Sequence, residues 1–149
     1  MGFCVLCFKN VLFFCVSLFV IESYFADKIN TTIEINGVIV NGGSLYVAVY
    51  SNENDYKAET PSIKFVLDPV NSTITLNAEL LNGEYVVSVF QDSNNDGKLN
   101  TNIFGIPTEP VGKTNYNLKG SPGGFKKLKT SINNSSTKLI VNMGKVRIF

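Results

Sequence analysis

The stretch Leu80-Leu81-Asn82-Gly83-Glu84-Tyr85-Val86-Val87-Ser88-Val89-Phe90-Gln91-Asp92 decides how this chain folds. Tyr85, Val87 and Val89 fall on one set of alternate positions, and Val86 and Phe90 on the other. Successive strand residues point to opposite faces, so a strand apolar on both sets must be covered on both sides, and a central strand is predicted from Glu84 to Phe90. Ahead of it, Asn82-Gly83 separates two apolar runs. Both residues tolerate the positive φ of a two-residue hairpin turn, which predicts that the flanking strands lie side by side.

Period-two patterning continues outward from this strand. Ile33 with Ile35, Val38 with Val40, and Leu45, Val47 and Val49 alternate with polar or small neighbours. So do Ile63, Phe65 and Leu67; Ile74, Leu76, Ala78 and Leu80; and Leu139 with Val141. Each run reads as a half-buried strand. Breakers stand between them at Asn41-Gly42-Gly43, Asp68-Pro69, Ser121-Pro122-Gly123-Gly124 and Asn133-Asn134-Ser135-Ser136. No amphipathic helix of about ten residues or more is suggested after the N-terminal region. Short strands punctuated by turns predict an all-β, antiparallel sandwich or partly open barrel, because each sheet has to bury its apolar face on another.

Immediately after the central strand, Asp92-Ser93-Asn94-Asn95-Asp96-Gly97-Lys98-Leu99-Asn100 places oxygen-bearing side chains at alternate positions and then turns on a glycine. A hard cation takes six to eight oxygens, and a tight loop supplies them through every second side chain and a carbonyl. The candidate calcium ligands are Asp92, Asn94, Asp96, the Lys98 carbonyl and Asn100. Ile103 occupies the twelfth position, where a bidentate Glu completes a strong site, so any affinity belongs at the weak end, on the order of 0.1 to 1 mM. The same residue types also build ion-free turns, since Asp and Asn side chains bond nearby backbone and tolerate left-handed conformations. Calcium is the one cofactor suggested, and its role would be structural.

The run Gly83 to Asp92, then Asn94 to Asn102, then Phe104-Gly105-Ile106-Pro107 and Glu109, resembles the bacterial domain-of-unknown-function family 2141. The resemblance extends from about Ile35 to Val141 and takes in Gly112, Asn115, Pro122 and Phe125. It implies an exported bacterial protein with an immunoglobulin-like or transthyretin-like β-sandwich, and it implies no established activity. Two departures stand out: Gln91 occupies a place where the family typically has His, and Asn100 one where it usually has Asp. Both weaken an inherited metal or proton-transfer role.

Residues 1–26 differ from the rest. Val11 to Ile21 is an uncharged apolar run of eleven residues preceded by Lys9. A hydrocarbon span needs about 20 residues, so a signal-peptide helix ending near Ala26 is expected, with an uncleaved anchor as the alternative. The domain expectation is a leader over 1–26 and a single β-sandwich over 27–149. Cys4, Cys7 and Cys15 all lie in this leader, so the mature chain would hold together without disulfides. Cys15 follows Phe13-Phe14 rather than small residues, which disfavours a lipoprotein. Export to the periplasm, cell envelope or extracellular space is the expected localisation.

Thirteen Lys and Arg against twelve Asp and Glu give a net charge of +1, so no global field would gather nucleic acid or anionic lipid. The chain has no His, and no Cys follows Cys15, which removes the commonest general base, the thiolate nucleophile and zinc sites made from those ligands. Carboxylates such as Glu53, Asp55, Glu59, Glu84 and Glu109 could pair across a cleft as an acid and a base, but nothing in their spacing shows it and as a default they are solvated. A non-catalytic envelope protein is therefore expected, with a carboxylate-dependent hydrolase acting on an envelope glycan as the alternative. Ile103, Phe104, Ile106 and Pro107 form a candidate binding patch for a protein or glycan partner, or else fold back to close the end of the sandwich. Lys119, Lys126, Lys127 and Lys129 read as a lysine-protected edge strand, and Tyr46, Tyr50, Tyr56 and Tyr85 as sheet packing.

Overall fold

A computed structural model describes residues 27–148. The expected leader over 1–26 lies outside the described residues. Two sheets pack face to face. The first holds β1 (Ile29–Asn36), β4 (Thr73–Leu80) and β8 (Lys138–Asn142) in the order β4-β1-β8. The second runs β3 (Ile63–Leu67), β2 (Ser44–Tyr50), β5 (Gly83–Asp92) and β6 (Val111–Lys113), with β7 (Thr130–Ile132) also paired to β5. Two short helices, α1 (Glu53–Lys57) and α2 (Phe125–Leu128), lie outside the sheets. The β-sandwich expected from the alternation is thus present, with one exception to its antiparallel pairing: β1 and β8 run parallel, Ile33 opposite Leu139 and Ile35 opposite Val141.

β5 is central, with its inner face covered throughout and its outer face covered in part. Tyr85, Val87 and Val89 enter the main core with Ile33 and Ile35 of β1, Leu45, Val47 and Val49 of β2, and Leu139 and Val141 of β8. On the opposite face, Val86 joins a second apolar cluster with Tyr50, Tyr116, Phe125 and Leu128. The outer face of this sheet therefore needs a partial second layer, which α1, α2 and the segment around Tyr116 provide.

Three local expectations are corrected. Asn82-Gly83 makes no hairpin: β4 pairs with β1 in one sheet, while β5 pairs with β2, β6 and β7 in the other. Neither Asn82 nor Gly83 adopts the positive φ a two-residue hairpin turn requires. Instead, the link carries the chain from one sheet to the other, with the Tyr85 hydroxyl bonded to the Leu81 carbonyl at 2.9 Å. Val38 and Val40 form no strand either. Gly37, at φ 78°, turns the chain out of β1, and Val38 alone is buried while Val40 is exposed. The lysine run is not an edge strand: Lys126 and Lys127 sit on α2, whose Phe125 and Leu128 plug into the second cluster, and Lys129 pairs with Glu84 at 2.7 Å. Among the tyrosines, Tyr46 stacks on Phe90 with centroids 4.7 Å apart, and Tyr50 meets Tyr56 edge-on, so both serve packing.

Candidate functional site

β5 delivers Asp92 to the rim, and there the chain winds into a loop organised by its own side chains. Asp92 is 1% exposed. Its Oδ2 accepts the Gly97 N–H at 2.7 Å and its Oδ1 the Asp96 N–H at 3.2 Å. Asn94 Oδ1 accepts the Asp96 N–H, and Asp96 Oδ1 accepts the Lys98 N–H at 2.9 Å. These are successive Asx turns, and they let Asn95 and Gly97 take positive φ. Asp96 Oδ2 accepts amide hydrogens from Asn94 at 3.1 Å and Asn100 at 2.9 Å. The Asn100 amide and the Lys98 N–H hold the Asp96 carboxyl below the usual carboxylate range. That carboxylate supports the loop above its ordinary pKa and loses the effect as pH falls through the lowered value.

Asp92, Asn94, Asp96 and Asn100 are thus brought together as their spacing suggested. Two of the four are carboxylates, and no group of three or more Asp, Glu, His or Cys side chains assembles for a metal among the described residues. The Oδ1 of Asn100 is buried and accepts no hydrogen bond, which leaves one oxygen of the set unused.

Two residues essential to this geometry were not legible as such. Glu109 is among the carboxylates expected to be solvated, yet it is 6% exposed. Its Oε1 accepts the Ser93 N–H at 2.8 Å and its Oε2 the Asn100 N–H at 3.0 Å, so a single carboxylate ties both ends of the loop. Gln91 is fully buried and stitches the Val38–Gly43 turn to β5. Its Oε1 accepts the Ile39 N–H at 3.0 Å, while its Nε2 donates to the Ile39 carbonyl at 2.7 Å and the Gly43 carbonyl at 3.2 Å. Every hydrogen-bonding atom of that side chain is used structurally. Replacing Gln91 with Leu strands the Ile39 N–H and takes a donor from the Ile39 and Gly43 carbonyls, the first of which keeps the Gly42 N–H, and is expected to cost about 3 kcal/mol in chemical denaturation.

Past the loop, residues 100–108 form a small hairpin, with Asn102 N–H bonded to the Ile106 carbonyl and Thr108 N–H to the Asn100 carbonyl. Asn102 Oδ1 accepts the N–H groups of Phe104 and Ile106, which fixes the tip. Ile103 is 93% exposed and Phe104 78%, whereas Ile106 and Pro107 are half-buried. The Ile103 tip therefore stands in solvent, while Ile106 and Pro107 at the base of the hairpin are partly covered.

Of the other candidate carboxylates, Glu53 and Glu84 pair with lysines, while Asp55 accepts the Asn52 amide at 2.6 Å. Glu53 and Glu84 share an open hollow of about 370 Å³. Lys57 takes Glu53 at 2.7 Å, and Lys129 takes both oxygens of Glu84 at 2.7 and 2.8 Å. The Lys57 contact holds the Glu53 carboxyl below its ordinary range. A general acid needs the opposite shift.

A two-sheet β-sandwich with a self-bonded Asp/Asn loop at the rim of its central strand is thus the class that fold and site define. The chain belongs to the family described as uncharacterized protein conserved in bacteria (DUF2141), whose sequence model matches residues 33–140. No curated protein and no solved structure matches it.

Proposed function

We propose that this chain is a non-catalytic binding module exported to the bacterial cell envelope, that its Asp92–Asn100 loop takes calcium weakly, and that it meets a protein or glycan partner at the hairpin end. The carrying observation is the loop, already wound by its Asx turns, with Asn100 Oδ1 buried and unbonded beside Asp96. A cation entering there would displace the Asn94 and Asn100 amide donors from Asp96 Oδ2 and draw in the amide oxygens of the same residues. Two carboxylates with neutral amides fit the low-affinity, structural class of calcium loop. The exposed Ile103 and Phe104 support a partner at this end, since such residues on a rigid hairpin offer desolvation to whatever covers them. The ion-paired state of Glu53 and Glu84 supports the non-catalytic reading.

Calcium titration followed by thermal melting tests the ion. At a dissociation constant of about 1 mM, about 10 mM calcium stabilises the folded form by roughly 1.4 kcal/mol, which raises Tm by about 5 °C. Asp96→Ala is expected to abolish the rise. An unchanged Tm for the wild-type protein at that concentration removes calcium from the reading.

A further inference from the structure

The outer face of β5 can be followed from end to end. Glu84 is ion-paired, Val86 lies under the second cluster, and Asp92 starts the loop. Between them Ser88 and Phe90 lie beneath a cleft of about 360 Å³, within the size range of small-molecule sites. Val111 of β6 extends the floor beside Phe90, its register partner, and the walls come from the hairpin through Phe104 and Ile106 and from the C-terminal segment through Val146. The lining is mainly apolar.

Lys113 is the one charged residue among those that line the cleft. It sits opposite Ser88 in the β5–β6 register, and its ammonium reaches toward α1, 4.9 Å from the centroid of the Tyr56 ring. It takes part in none of the five ion pairs among the described residues. Burial pushes its amine below the ordinary lysine value, and Glu59 opposes this only from a distance. A cation resting on an aromatic face, without a carboxylate, gains from an anion delivered to it in a partly desolvated place.

We propose that this cleft binds a small amphiphile with one acidic head and an acyl-like tail, the tail over Phe90 and Val111 beneath the hairpin and the head at Lys113. Charge complementarity selects the occupant, because the lining offers one cation, no carboxylate and little else to satisfy a polar ligand. This goes beyond the module reading and does not depend on calcium.

The test uses dodecanoate and its neutral counterpart dodecanol, with a chelator present, by calorimetry and displacement of a fluorescent acyl probe. Dodecanoate should bind one-to-one, and Lys113→Met should weaken it about tenfold while leaving dodecanol unchanged. Ser88→Leu, which fills the floor, should abolish both. Melting curves check that each variant is folded, and Lys113→Met, which keeps an apolar stem, decides the matter if Ser88→Leu does not fold. The proposal is overturned by no saturable binding of dodecanoate, by equal binding of dodecanoate to wild type and Lys113→Met, or by binding to phospholipid vesicles without binding of the monomeric acid.

Discussion

Gly43→Ala is expected to be among the most damaging single-methyl additions to this protein, costing more than about 3 kcal/mol and lowering Tm by roughly 10 °C or more. Gly43 has φ 98°, a conformation L-residues rarely adopt, and it ends the turn that feeds β2. A Cβ there would collide with the Asp92 carbonyl oxygen, with Ser93 Cα only 3.0 Å away. The obstacle is backbone and cannot rotate aside. Relief would require β2 to part from β5 at the Ser44–Asp92 pair, where the loop begins, and would pull the Gly43 carbonyl from Gln91. Gly105→Ala supplies the contrast, since Gly105 also has positive φ, at 73°, but nothing lies within 4 Å of its added methyl. That substitution carries only the conformational penalty of about 1 kcal/mol. Equal losses for the two variants would show that φ, and not the Asp92 contact, sets the cost at Gly43.

The contrast between these glycines also shows what a linear reading can reach. Side-chain alternation placed β1 through β5 and β8 correctly, because a half-buried strand leaves a period of two wherever it is long enough. β6 and β7, at three residues each, are too short to show a period. α2 spans barely one turn and is held by Phe125 and Leu128 in the second cluster, not by helix propensity. Asn82-Gly83 misled because the local preference for a hairpin turn says nothing about which sheet each flanking strand joins. Ile29 of β1 pairs with Leu80, whereas Ile132 of β7 pairs with Gly83.

The candidate site divides in the same way. Asp92, Asn94, Asp96 and Asn100 were legible because their bonds span two to five residues. Gln91 acts on residues about fifty positions earlier, and Lys113 acquires its setting from Tyr56 of α1, so neither role leaves a mark nearby in the chain. The cleft joins β5, β6, the hairpin, the segment from Tyr116 to Pro122 and the C-terminal segment, pieces that only the tertiary fold brings together.

Glu109→Ala should be comparably costly, at about 3 kcal/mol, and its effect should concentrate in the loop. The Glu109 carboxylate bonds Ser93 N–H at the loop's start and Asn100 N–H at its end, sixteen and nine residues away along the chain. Alanine leaves both donors without an acceptor, and hydrogen bonds to a charged group are worth about 1.5 to 3 kcal/mol each. Glu109→Gln keeps the shape and one acceptor oxygen but turns an NH₂ group toward the other N–H, so an intermediate loss of about 2 kcal/mol is expected. Amide exchange separates this from general destabilisation: protection at Gly97, Lys98 and Asn100 should fall further than protection at Val87 or Val89 in the centre of β5. A uniform fall across loop and strand would mean that Glu109 supports the sandwich as a whole. If the loss is confined to the loop, the calcium response should weaken in the same variants and in the same order, because an ion can use only a loop whose two ends are already held together.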